Sequence, residues 1–310
     1  MSQWLARRWR GLRRHWLASE ALPAAITRCG HYARLMRIDR PIGTFLLLWP
    51  TLWALWLAGE GSPDPHVFVV FIAGVWVMRA AGCVINDFAD RNFDGHVRRT
   101  VDRPLATGAV RAWEAIVLFL VLALIAFALV LTLNTLTIML AFVGLALAAS
   151  YPFMKRFHYL PQAHLGVAFG WAAPMVWAAQ TGALPELAWL VFFAVILWAL
   201  AYDTIYGMVD RDDDLKLGLK SSAILFGDLD RFIIGLIQLA LLGTLYLIGE
   251  QAELGVTYLY ALGFAALNIA WQQWLLRKRD RDDCFRAFLA NNWFGFFVFA
   301  GILLDYTFSG

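Results

Sequence analysis

The sequence predicts an all-α, polytopic membrane protein with nine transmembrane helices, and three observations predict it. First, 61% of the 310 residues are hydrophobic and only 16% are charged, whereas soluble chains run near 45–50% apolar and about 25% charged. Second, nine stretches are apolar for long enough to cross a bilayer. Third, the basic residues between those stretches fall on one side of the implied membrane. Fifteen Trp and 23 Phe fit the same solvent, because aromatic rings favour bilayer interfaces and apolar cores. Three cysteines, Cys29, Cys83 and Cys284, are odd in number and far apart, so neither a disulfide framework nor a zinc site is indicated.

The elements follow in order. Residues 1–40 are Arg-rich and only moderately apolar, with no short apolar core and cleavage site of the signal-peptide kind. They predict a basic arm lying in the membrane interface. Residues 41–310 then form the membrane domain. Its spans are expected near 42–58, 67–85, 111–131, 135–150, 163–180, 187–204, 231–249, 254–276 and 285–304. The third and fourth are joined by a very short connection around Leu133 and Asn134.

Loop charges support the span count. All of the 26 Lys and Arg residues except Arg79 lie in the arm or in the loops after spans 2, 4, 6 and 8, or at the span ends next to them. The opposite loops carry only acids such as Glu60, Asp64, Glu186, Glu250 and Glu253. A missed or added span would scatter the basic residues over both faces. The positive-inside rule therefore places the N-terminus and the even-numbered loops in the cytoplasm.

Two of those loops carry chemistry. At the end of span 2 the chain reads Asn86-Asp87-Phe88-Ala89-Asp90-Arg91-Asn92-Phe93-Asp94. A helical advance of about 100° per residue stacks Asn86, Asp90 and Asp94 on one stripe, with Asp87 beside them. At the end of span 6, Asp203, Asp210 and Asp214 share a face by the same geometry, and Asp212 points the other way. Like charges at i, i+4 destabilise a helix, and an acid inside a span costs about 2.5–3.5 kcal/mol on insertion scales. Two stacked sets of carboxylates therefore need a bound cation. Oxygen ligands without His or Cys nearby point to Mg²⁺, which takes one or two carboxylates together with waters and substrate phosphates. Basic residues facing the same compartment, among them Arg91, Arg98, Arg99, Lys155, Arg156, Lys216 and Lys220, fit a diphosphate held by that metal. Asn86, Asp90 and Asp94 each lie 120 residues before Tyr206, Asp210 and Asp214, a pattern that an internal duplication produces. A transporter for a cation or a phosphate ester could share it. Such a transporter predicts ionisable groups deep in several spans, and apart from Arg79 the span centres lack them.

The motifs resemble those of the UbiA-type intramembrane aromatic prenyltransferases, NDxxDxxxD and DxxxD. The likeness is greatest to the branch that prenylates 4-hydroxybenzoate in the bacterial ubiquinone pathway. It is carried by RIDRPIGTFLLLWPTLWALW from Arg37, RAAGCVINDFADRNFDGHVRRTVDRPLATGAV from Arg79, YPFMKRFHYLPQ from Tyr151 and AYDTIYGMVDRDDDLKLGLKSSAILFG from Ala201. The resemblance implies a ring of nine helices around a central cavity, capped by the cytoplasmic loops. It implies Mg²⁺ as cofactor, bound by Asn86, Asp87, Asp90 and Asp94 and by Asp203, Asp210 and Asp214, with Tyr206 in support. Asp90, Asp94, Asp210 and Asp214 would be the catalytic set. Arg98, Tyr151, Lys155, Arg156, Lys216 and Lys220 would contact the diphosphate. An acceptor with a carboxylate needs a cation, for which Arg37, Arg40 and Arg79 are the candidates. The implied partners are a polyprenyl diphosphate, 4-hydroxybenzoate and the lipid bilayer of the inner membrane, with no nucleic acid. Naphthoate, homogentisate, haem and chlorophyllide are alternative acceptors within the same motif frame.

Overall fold

The computed structural model describes residues 21–96 and 100–309, all helix and connecting turns. The helices are α1 (Ala21–Leu35), α2 (Ile42–Ala58), α3 (Pro65–Asp90), α4 (Ala112–Val130), α5 (Thr135–Ser150), α6 (Pro161–Gly170), α7 (Ala172–Thr181), α8 (Glu186–Lys216), α9 (Ser222–Phe226), α10 (Asp230–Gln251), α11 (Val256–Leu275) and α12 (Arg281–Ser309). All nine predicted stretches are helical. Among the described residues, six helices are long and apolar enough to cross a membrane by length and composition, and Ile42–Ala58 is a shorter apolar helix. The predicted fifth span is two helices, α6 and α7, that meet at Trp171. Pro174 explains the break: it lacks an N–H, and its ring clashes with the carbonyl of residue i−4, which is Gly170.

The first half of the basic arm, residues 1–20, lies outside the described residues. Its second half does more than coat the surface. Helix α1 is tied to α4, where Arg28 and Tyr32 both donate to the Glu114 carboxylate. Leu35 is buried beside Val84 of α3 and Ala115 of α4.

Helices α8 and α12 lie at the centre of the bundle. Helix α8 packs against α6, α10 and α12, and α12 also packs on α11 and α2. Lipid is as apolar as Leu, so helices in a membrane associate through close backbone approach and interhelical hydrogen bonds. Both occur here. Gly166 of α6 lies against the Ile196 backbone of α8, and Gly295 of α12 receives the rings of Trp49 and Trp198. A buried amide chain joins α8, α10, α11 and α12. Trp198 donates to Asn291 at 3.0 Å, Asn291 to Gln272 at 3.3 Å, and Gln238 to Gln272 at 2.9 Å. Helices α4 and α5 are apolar on all sides yet bury little, Ala115 and Ala126 being the buried apolar residues of α4. Those faces are suited to lipid. Asn134 caps α5 by accepting from the Thr137 N–H at 2.9 Å, and its amide reaches the Ala178 carbonyl of α7.

The two motif helices are longer than a bilayer requires. At 1.5 Å per residue, α3 runs about 39 Å and α8 about 46 Å, against a hydrocarbon core of roughly 30 Å. The excess projects the motif ends beyond the apolar layer. Asp90 is the last residue of α3, and Asp210 and Asp214 lie in the last two turns of α8.

Candidate active site

One large cavity, about 1410 Å³, runs along these helices. Its polar end is lined by both motifs: Asn86, Asp90 and Asp94 on one wall, Asp203, Tyr206, Asp210, Asp213 and Asp214 on the other. Its deep end is lined by Leu46, Phe71, Val75, Phe127 and Met175 among other apolar residues. Tyr151 links the two walls, because its phenol lies within electrostatic range of Asp203 and Asp90 and also of Arg79.

The first motif is embraced by cations. After α5 the chain enters a short 3₁₀ helix, Tyr151–Arg156, that carries Lys155 to Asp90 Oδ2 at 2.6 Å. Arg103 Nη1 donates to both carboxylate oxygens of Asp94, at 2.9 and 2.8 Å, and also lies 3.0 Å from Asp87. Burial raises the Asp94 carboxyl above the ordinary carboxylate range, and Arg103 pulls it back. The other oxygen of Asp90, Oδ1, is buried and has no hydrogen-bond partner among the described residues. An orphaned carboxylate oxygen on a cavity wall is costly unless a ligand meets it.

Among the described residues, no three Asp, Glu, His or Cys side chains converge closely enough to hold a metal by themselves. The donors are oxygens spread over two walls. This fits Mg²⁺, which keeps several waters and completes its shell with substrate phosphates rather than with a protein cage.

The sequence pattern of the UbiA prenyltransferase family matches residues 47–300, most of the chain. The chain belongs to that family. It is 59% identical over 283 residues to the 4-hydroxybenzoate octaprenyltransferase of Alkalilimnicola ehrlichii, covering 91% of this chain and 97% of that one. To the 4-hydroxybenzoate octaprenyltransferase of Nitrosococcus oceani it is 61% identical over 275 residues, covering 89% and 96%. The apo structure of a UbiA homolog from Aeropyrum pernix K1 superposes with a TM-score of 0.76 at 28% identity, covering 86% of this chain and 98% of that one. A UbiA homolog from Archaeoglobus fulgidus, bound to GPP and Mg²⁺, has the same fold, with a TM-score of 0.66 at 16% identity, and covers 88% and 99%.

Within this UbiA frame the predicted site residues divide. Asn86, Asp90, Asp94, Asp203, Tyr206, Asp210, Asp214, Tyr151, Lys155, Lys220, Arg37, Arg40 and Arg79 all line the cavity. Arg98 lies outside the described residues. Three more do not line the cavity. Asp87 is fully buried and is engaged through Oδ1 by Arg37 at 2.7 Å and Arg103 at 3.0 Å, while its Oδ2 is buried with no hydrogen-bond partner among the described residues. Arg156 donates to the Ala89 carbonyl and packs over the Phe93 and Phe153 rings, which makes it a strut between the 3₁₀ helix and α3. Lys216 is 77% exposed with only Asp213 near it, and does not reach the cavity.

Arg37 and Arg40 also differ from a simple carboxylate pair. Arg37 is already committed to Asp87, and Arg40 is largely exposed with Asp39 at 3.8 Å. Arg79 is half-buried on the cavity wall and has no ion-pair partner among the described residues. Its guanidinium packs on the Cα of Gly43, in space that any Cβ there would fill. The cavity residues that the motif reading missed are Arg103, Asp213 and the start of α12, Arg281 to Asp283. Arg103 lies nine residues beyond Asp94 in a turn, where no helical periodicity marks it.

Proposed function

We propose that this protein transfers a polyprenyl group from its diphosphate to 4-hydroxybenzoate, on the ring carbon ortho to the hydroxyl, as a step of ubiquinone biosynthesis. One observation carries the reading: a single cavity brings both carboxylate motifs, Lys155 and an otherwise uncommitted Arg79 together, in a chain about 60% identical to enzymes named for this reaction. The octaprenyl chain in those names is the natural donor to test first. The site would face the cytoplasm at the inner membrane, an orientation that the loop charges support.

The chemistry follows from the walls. The diphosphate lies at the polar end and the polyprenyl tail runs into the apolar end. Asn86, Asp90 and Asp94 on one side and Asp203, Asp210 and Asp214 on the other would hold Mg²⁺, which when bound would supply Lewis-acid charge to the leaving group. Lys155, Lys220, Tyr151 and Arg103 line the same end of the cavity, and turned to the diphosphate their donors would stabilise the charge that develops as the allylic C–O bond breaks. The bond electrons leave with the diphosphate. The ring carbon of the acceptor then supplies the electron pair for the new C–C bond, and loss of its proton restores aromaticity.

Arg79 orients the acceptor. It lies seven residues before Asn86, so it shares that face of α3 about 10 Å deeper in the cavity. A guanidinium matches a carboxylate in a two-pronged geometry, and with no ion-pair partner among the described residues, Arg79 is available for the benzoate. Apolar walls keep water from the allylic cation.

The test is product identity. Purified protein given octaprenyl diphosphate, 4-hydroxybenzoate and Mg²⁺ should yield 4-hydroxybenzoate carrying the octaprenyl group on carbon, ortho to the hydroxyl, by mass spectrometry and NMR. Attachment at oxygen, or no product, would overturn the assignment.

A further inference from the structure

The second motif contains three charged residues, Arg211, Asp212 and Asp213, that lie between its two metal-facing aspartates. The structure gives all of them a use on the cap. Arg211 reaches Asp230 Oδ2 at 2.6 Å, the Gly227 carbonyl at 3.1 Å and the Ala223 carbonyl. Asp230, the first residue of α10, has no exposed surface and takes a second guanidinium, with Arg279 Nε 2.9 Å from Oδ1. Arg279 also holds the Asp228 carbonyl at 2.6 Å from the turn between α11 and α12. Beside it, Arg281 spans Asp212 at 3.1 Å and Asp213 at 3.4 Å.

This cluster ties down the segment from Leu217 to Leu229 through the Ala223, Gly227 and Asp228 carbonyls. The pinned segment carries Lys220 and Ser221 on the cavity wall, with the Lys220 ammonium held at the rim by the Phe157 carbonyl at 3.0 Å and over the Tyr159 ring, from where it can swing to a bound diphosphate. It is sewn to the first motif as well, because the Lys220 N–H donates to the Lys155 carbonyl at 3.1 Å, and Lys155 holds Asp90. A carboxylate with no exposed surface is tolerated only when paired and hydrogen-bonded. Here Nη2 of Arg211 reaches the Ala223 and Gly227 carbonyls as well as Asp230, and Arg279 pairs through Nε while its Nη2 reaches the Asp228 carbonyl.

We propose that Asp230 is a positioning residue for prenyl transfer. By holding Arg211 and Arg279 in one buried cluster, it fixes the 217–229 segment so that Lys220 meets the diphosphate. The inference rests on the proposed prenyl transfer and adds the reason why the second cap stays in register with the first.

Asp230→Asn keeps the shape and removes the charge. The KM for polyprenyl diphosphate should rise roughly tenfold to a hundredfold, the range that a misplacement of about 1 Å produces. The KM for 4-hydroxybenzoate should stay within about twofold, since uncoupled sites leave each other unchanged. Lys220→Gln should raise the same diphosphate KM, and the double variant should be no worse than Lys220→Gln alone, because both changes remove one contact. Arg279→Gln, which cuts one arm only, carries the same prediction if Asp230→Asn does not fold. Titration of inorganic pyrophosphate with Mg²⁺ reads the contact without turnover and should weaken in step. An inactive wild type would overturn the functional reading. An active wild type, with an unchanged diphosphate KM in the variant or with KM effects that multiply in the double variant, would overturn the positioning role.

Discussion

Replacing Arg79 by Gln should separate acceptor binding from stability. Arg79 is half-buried on the cavity wall, with no ion-pair partner among the described residues. A hydrogen bond to a charged group contributes roughly 1.5–3 kcal/mol, which corresponds to an increase of about 10- to 150-fold in the KM for 4-hydroxybenzoate. The diphosphate KM should hardly move. Stability should not fall, because an unpaired cation in a span is itself a cost of about 2.5–3.5 kcal/mol on insertion scales. The variant should therefore melt at the wild-type temperature or above. Steady-state kinetics with 4-hydroxybenzoate and with phenol, which lacks the carboxylate, would show the mechanism: the wild-type preference for the benzoate should disappear in the variant. Gly43→Ala pushes a Cβ into the guanidinium and should raise the same KM in the same direction. An unchanged KM for 4-hydroxybenzoate in Arg79→Gln would refute the reasoning, as would a preference over phenol that survives the substitution.

Other expectations follow from the same geometry. Asp87→Asn and Asp90→Asn should fail in different ways. The first breaks a buried pair with Arg37 and should lower the melting temperature, by a loss of about 3–5 kcal/mol. The second loses one partner, Lys155, against the two guanidiniums that Asp87 holds, so it should abolish turnover at a smaller cost in stability; equal loss of stability in both would contradict the assignment. Lys155→Gln releases Asp90 and removes a diphosphate donor, so the Mg²⁺ concentration for half-maximal rate should fall while the diphosphate KM rises; movement of both in one direction would count against it. Asn291→Leu cuts the buried amide chain, and since interhelical hydrogen bonds in membranes contribute about 0.6–1.7 kcal/mol, it should lower the melting temperature modestly with kinetics intact.

The carboxylate stripes that line the cavity were legible in the sequence because helical geometry alone decides which of several nearby acids share a face. Asp212 shows this: it was expected to point away from Asp203, Asp210 and Asp214, and it is exposed and bound to Arg281. Loop charge legibly placed both motifs on one side. What the sequence could not supply is the direction of side chains outside regular helix. Lys155 and Arg156 are neighbours in a 3₁₀ helix, yet one enters the cavity and the other braces Ala89. Asp87 reads as part of the first motif, but its position beside the stripe turns it toward Arg37 and Arg103. The break at Trp171 was hidden because hydropathy runs through it, although Pro174 carries the cause. Asp230 was invisible for a different reason: its partners Arg211 and Arg279 come from distant parts of the chain, and their meeting is a property of the packed bundle.

The central claim is that two carboxylate motifs act together through a divalent ion on one diphosphate. It is tested most directly by measuring the rate of octaprenyl transfer to 4-hydroxybenzoate as Mg²⁺ is removed with a chelator and restored, in the wild type and in Asp90→Asn and Asp210→Asn. Turnover should vanish on chelation, return with Mg²⁺, and stay absent in either variant at any metal concentration. Chelator-insensitive turnover, or near-normal activity with one motif neutralised, would contradict it.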